Sequence, residues 1–142
     1  MHIDALVIGI LVAVLLVFKS RNWTEKKWAY PALLASFPAY YWVFALYAAD
    51  DVALRHELAV SIIFLAIAFV AYRVKSVASM LLLAIGFIGH AAYDVYHDML
   101  FINTGGPKWW PEFCGAVDIL VGCYLVYLAF LLRRRQVLAL ES

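Results

Sequence analysis

The run Ile62-Ile63-Phe64-Leu65-Ala66-Ile67-Ala68-Phe69-Val70 contains no polar side chain, and runs of this kind recur along the whole chain. A strand in a membrane barrel alternates apolar and polar residues at period two, so an unbroken apolar run demands helices. The reading is an all-α integral membrane bundle forming one domain over residues 1–142, with five transmembrane spans at about 3–18, 28–49, 57–72, 76–100 and 112–132. The second and fifth satisfy the roughly 20 residues needed to cross a bilayer outright, and the first and third do so when their polar ends are counted. Composition points the same way. Of 142 residues, 67% are hydrophobic and 15% charged, against about 45–50% and about 25% in globular domains. A freely soluble enzyme is excluded on that ground. A net charge of +1 gives no reason to expect a nucleic-acid partner. Cys114 and Cys123 lie nine residues apart in one apolar stretch, where a helix keeps them from meeting, so no disulfide is expected. The start His2-Ile3-Asp4 lacks a basic lead-in and a small-residue cleavage site, and the first stretch reads as a retained span rather than a signal peptide.

Charge sorts by connection. Lys19, Arg21, Lys26, Lys27, Arg73, Lys75, Arg133, Arg134 and Arg135 fall in one set of connections, where Glu25 and Glu141 are the only acids. The other set holds Asp4, Asp50, Asp51, Glu57, Asp94, Asp98, Glu112 and Asp118, with Arg55 and Lys108 the only bases. The two sets alternate along five spans, so the positive-inside rule places the N-terminus outside and the C-terminus in the cytoplasm. The expected location is the inner membrane of a prokaryotic cell.

The basic residues also serve as a ruler. Asp4, Glu57, His90 and Asp118 lie 15 or 16 residues from Lys19, Arg73, Lys75 and Arg133 respectively. At 1.5 Å per residue this sets four ionisable groups from four spans in one layer, about 22–24 Å from the cytoplasmic boundary. Measured from Lys27, the second span brings Trp42 to the same level, beside Tyr40 and Tyr41. Ionisable groups at such depth cost about 2.5–3.5 kcal/mol each, so they face inward and pair, or line a site.

The chemistry concentrates in Gly89-His90-Ala91-Ala92-Tyr93-Asp94-Val95-Tyr96-His97-Asp98. His90, Asp94 and His97 are spaced i, i+4 and i+7 and share one helical face, the arrangement by which helices offer metal ligands on successive turns. In the fifth span Cys114 and Asp118 likewise share a face. The expected ligand set for a divalent metal is His90, Asp94, His97, Glu57 and Asp118, with Glu57, Asp118 and Asp98 as acid/base groups. Asp4, Tyr41, Trp42, Tyr93 and Cys114 are expected to line the substrate pocket. Mixed nitrogen and oxygen ligation suits zinc, iron or manganese.

From about residue 53 to 128, the combination of Glu57, Gly86-x-x-x-His90, His90-x-x-x-Asp94-x-x-His97 and Cys114-x-x-x-Asp118 resembles a family of small bacterial multi-pass membrane proteins of unassigned function. That resemblance implies treating Glu57, His90, Asp94, His97, Cys114 and Asp118 as one set, and implies nothing about substrate.

The functional expectation is a membrane enzyme with an outward-facing His/carboxylate site, metal-dependent and acting on a lipid or other hydrophobic small molecule. Two alternatives are a metal-free acid/base isomerase or cyclase of a lipid, and an ion or proton carrier. Gly86, Gly89, Gly115 and Gly122 allow close helix approach within the bundle or between protomers, so a homo-oligomer is compatible with the sequence.

Overall fold

The computed structural model describes residues 2–20, 26–74 and 76–140. Arg21, Glu25, Lys75 and Glu141, which entered the charge and depth readings, lie outside the described residues. The chain is all-helical: α1 (Ile3–Lys19), α2 (Ala29–Tyr47), α3 (Asp51–Arg73), α4 (Ser76–Leu100) and α5 (Trp110–Leu138). Three of these, α3, α4 and α5, are both long and apolar enough to cross a membrane. Among the described helices α1 is the shortest, with 17 residues, and the 19 residues of α2 include Pro31, Pro38, four tyrosines and Trp42.

Two boundaries fall about six residues outside the expected spans for local reasons. Helix α3 starts at Asp51 because the Asp50 carboxylate accepts from Val52 N at 3.1 Å and Ala53 N at 2.9 Å, capping the helix before its charged first turns. Helix α5 runs on through Arg133-Arg134-Arg135 to Leu138, since that segment consists of good helix formers with no Gly or Pro to stop it.

Helix α5 packs along α4 and α1, α3 along α4, and α2 along α3. Hydrogen bonds at the two ends show how the helices alternate in direction. At one end His2 N donates to Glu112 Oε1 (3.0 Å), Tyr41 to Asp94, and His97 faces Glu57. At the other, Tyr30 Oη donates to Ser20 O (3.1 Å) and Ser79 Oγ to Ala71 O (2.7 Å). The acidic residues therefore share the first end, and Lys19, Lys26, Lys27, Arg73 and Arg133 to Arg135 lie toward the second.

Polarity is inverted relative to a water-soluble bundle. The outward faces carry Ile8, Leu15, Ile62, Phe69, Ile85, Ile88, Ile119 and Phe130, whereas Glu57, His90, Asp94, His97 and Asp118 are buried. The interior on the basic side is apolar, built from Leu34, Leu83, Phe87, Val121 and Leu125.

Close approach is set by small residues. Ala5, Gly9 and Ala13 form the buried stripe of α1, and a Cβ on Gly9 would stand 2.5 Å from Phe113 O and 3.1 Å from Ala116 Cβ. Because the first of these is backbone, it cannot swing aside. Gly9→Val is expected to push α1 off α5 and lower stability by about 1–3 kcal/mol, measurable as an earlier unfolding midpoint in detergent. An unchanged midpoint would mean that α1 is not docked as described.

Candidate metal centre

Helix α4 presents His90, Asp94 and His97 inward on successive turns, all three buried. Helix α5 brings Cys114 and Asp118 against the first two. A Cβ on Gly122 would meet Ile88 Cγ1 at 2.8 Å, so the α4–α5 contact one turn below the polar residues depends on that glycine. The result is a compact group: His90, Asp94, Cys114 and Asp118 each offer a ligand atom, and these atoms all lie within 4.8 Å of one another.

His90 Nδ1 lies 2.8 Å from Asp118 Oδ2 and 3.5 Å from Asp94 Oδ2. Cys114 Sγ is 3.9 Å from Asp118 Oδ2, and Tyr41 Oη donates to Asp94 Oδ1 at 2.8 Å. The imidazole is walled by aromatic rings, with centroids at 4.8 Å for Phe64 and 5.7 Å for Phe37. Bonds within the group do not use all of its polar atoms. His90 Nε2, Asp94 Oδ2 and Asp118 Oδ1 are buried with no hydrogen-bond partner among the described residues, and an unsatisfied buried polar atom costs about 1–3 kcal/mol.

Charge is also unbalanced. Glu57, Asp94 and Asp118 are buried together with two histidines, and no Lys or Arg is buried among the described residues. Carboxylates in a low-dielectric interior require a compensating cation or proton.

A second polar group lies next to the first, toward the acidic end. Glu57 Oε1 accepts from Asn103 Nδ2 at 2.9 Å and faces His97 Nε2 at 2.8 Å, while Oε2 accepts from Tyr93 Oη at 2.6 Å. His97 Nδ1 approaches Asp98 Oδ1 at 3.2 Å, and the Asp98 side chain is 87% exposed. His97 also stacks on Tyr41, with centroids 4.5 Å apart and planes 20° from parallel. This second group is hydrogen-bonded throughout, in contrast to the first.

The structure thus divides the ligand set expected from sequence. His90, Asp94 and Asp118 come together, Cys114 joins them as a donor, and Glu57 and His97 pair with each other instead. Tyr41 is a hydrogen-bond donor to the group, and Tyr93 is held by Glu57. Trp42 donates from Nε1 to Ser61 Oγ at 3.1 Å and ties α2 to α3 away from the group. Asp4 is exposed on the outer face of α1, and Asp98 sits at the rim. Sequence reasoning missed Asn103, whose amide also donates to Tyr41 O at 3.2 Å. In Asn103-Thr104-Gly105-Gly106 it has the look of an ordinary turn residue.

A cleft of about 490 Å³ opens at the acidic end over this second group. Tyr41, His97 and Asn103 form its floor, Ile102, Pro107 and Trp110 its apolar walls, and Asp98 and Lys108 its charged rim.

No protein-family model matches the chain, and no match was found among curated proteins or solved structures. The functional reading therefore rests on the geometry of the site itself.

Proposed function

We propose that the chain is a five-span integral membrane protein with its acidic end outside, in which His90, Asp94, Cys114 and Asp118 hold one divalent metal ion. On this reading the metal centre serves an enzyme that acts on a lipid or other hydrophobic small molecule entering through the cleft at the acidic end. The observation that carries the reading is that four buried residues each offer a ligand atom within 4.8 Å of the others, with the Asp94 and Asp118 carboxylates each keeping one oxygen without a hydrogen-bond partner among the described residues.

Charge and donor chemistry support a metal. A divalent cation neutralises the Asp94 and Asp118 carboxylates where no Lys or Arg is buried among the described residues. One sulfur, one imidazole nitrogen and two carboxylate oxygens suit zinc, then iron, better than manganese, which prefers oxygen. Tetrahedral zinc with bonds near 2.0 Å separates its ligands by about 3.3 Å, so the 3.5 Å between His90 Nδ1 and Asp94 Oδ2 already fits. The 2.8 Å between Nδ1 and Asp118 Oδ2 needs a small opening. A metal in this position would supply a Lewis acid, and a water of lowered pKa would bind where the ion takes a fifth ligand or the water displaces one of the four protein donors. Glu57 and His97, between the metal centre and the cleft, are placed to exchange protons with a substrate.

The inverted polarity of the bundle and the apolar lengths of α3, α4 and α5 support the membrane placement. Helix α1 has 17 residues and rises about 26 Å, which crosses a thin or locally thinned bilayer. The gathering of Lys and Arg at one end supports that end as cytoplasmic.

Metal-free acid/base isomerisation is a second reading, favoured by the 2.8 Å pairing of Glu57 with His97 beside the cleft. An ion carrier draws less support, because Ser20, Ser79 and the Tyr30 hydroxyl are the few buried polar groups on the basic side among the described residues.

Metal analysis by inductively coupled plasma mass spectrometry tests the proposal. Purified wild-type protein is expected to contain close to one zinc or iron per chain, and Asp118→Ala well below a tenth of that. Protein that holds no metal and takes up none on reloading overturns the metalloenzyme reading and leaves acid/base catalysis by Glu57 and His97.

A further inference from the structure

A second recess is unrelated to the polar groups. It lies between α1 and α5 at the basic end, with a volume of about 720 Å³, within the range of about 300–1,000 Å³ typical of ligand sites. Its origin is the crossing of the two helices. Gly9 presses α1 onto Phe113 and Ala116, while the far end of α1 is tied to α2 through the bond from Tyr30 Oη to Ser20 O. Beyond Ala13 the helices part, and Val14 and Val17 face Leu128, Leu131 and Tyr124 across a long apolar groove. Arg135 closes its basic end, and the preceding Arg133 and Arg134 line a separate recess beside it with Phe130, Val137 and Leu138.

We propose that this groove binds one anionic phospholipid, with an acyl chain along the apolar walls and the phosphate at Arg135. An apolar groove exposed to hydrocarbon is filled by lipid tails as a matter of course, and the arginine makes the site selective. Residues placed just beyond the hydrocarbon on the cytoplasmic side meet the headgroup layer, where each Lys or Arg attracts anionic lipid. Charge complementarity is reinforced by the sequence around the site, because Arg133, Arg134 and Arg135 occur with no acidic residue between Asp118 and Leu140. Zwitterionic lipid gains no such advantage. The site is independent of the metal and rests only on the membrane placement proposed above.

Native mass spectrometry of the full chain, released from vesicles of equal phosphatidylglycerol and phosphatidylcholine, provides the test. Wild type is expected to keep one phosphatidylglycerol per chain in preference to phosphatidylcholine. Arg135→Gln lowers that preference about fivefold, the effect of one arginine near an anionic surface. Val14→Trp, which fills the groove from a half-exposed position on α1, lowers retention of both lipids. Equal retention of the two lipids by wild type overturns the proposal, as does retention unchanged in both variants. A dimer that Val14→Trp dissociates also overturns it, since a second copy of the chain then occupies the groove. Carbonate washing of membranes separates the two levels of failure. A chain that stays in the membrane but shows no lipid preference lacks the lipid site alone, whereas one released by carbonate is not an integral membrane protein, and the lipid site falls with that placement.

Discussion

His90→Ala is expected to abolish metal retention and to lower the unfolding free energy by about 1–3 kcal/mol or more, the cost of leaving a buried polar group without its hydrogen-bond partner. Its imidazole is fully buried and stands against two carboxylates, at 2.8 Å and 3.5 Å. Alanine leaves Asp94 and Asp118 buried without either the metal or the group that separates them, and opens a cavity beneath Phe64. Metal content and denaturant unfolding followed by tryptophan fluorescence measure the two effects on one preparation. A His90→Ala protein that keeps stoichiometric metal removes His90 from the ligand set. One that unfolds like wild type contradicts the buried contact between His90 and the two carboxylates.

Glu57→Ala is expected to do the reverse: destabilise the acidic end while leaving the metal in place. The carboxylate serves Tyr93, Asn103 and His97 at once, and each donor stranded without a partner costs about 1–3 kcal/mol. The loss should exceed the cost of a single stranded donor, and hydrogen exchange should rise first in the first turns of α3 and the 101–109 connection. Glu57→Gln should cost less, since a tyrosine hydroxyl can turn to accept from the new amide. Loss of metal in Glu57→Ala at unchanged fold would unite the two polar groups into one site, as the sequence alone suggests, and would contradict the division seen in the structure.

Much of this arrangement was legible in the sequence, for identifiable reasons. His90, Asp94 and His97 recur at helical spacing in a long apolar stretch, so their common face follows from 3.6 residues per turn. The distance count from the basic residues placed His90 and Asp118 at one depth, and they touch. The same count could not separate Glu57 from that pair, because one helical turn is only 5.4 Å and the tilt of each helix consumes that margin. Asp4 shares the depth but not the direction. In α1 almost every residue is apolar, so hydrophobic periodicity does not reveal the inward face. The small-residue stripe Ala5, Gly9, Ala13 does reveal it, and Asp4 lies off that stripe. Cys114 was visible as a neighbour of Asp118, but its part in the donor set depends on how closely α5 approaches α4 at Gly122. Asn103 belongs to an irregular connection, where no periodicity exists to mark a residue as buried.

If one metal ion sits among His90, Asp94, Cys114 and Asp118, then Cys114 is its single sulfur ligand. X-ray absorption at the metal edge of purified protein, compared with Cys114→Ser, tests it most directly. The expected spectrum has a single sulfur ligand at about 2.3 Å with nitrogen and oxygen ligands at about 2.0–2.2 Å, and Cys114→Ser loses the sulfur shell alone. A metal surrounded only by nitrogen and oxygen in wild type, with a spectrum that Cys114→Ser leaves unchanged, would contradict it.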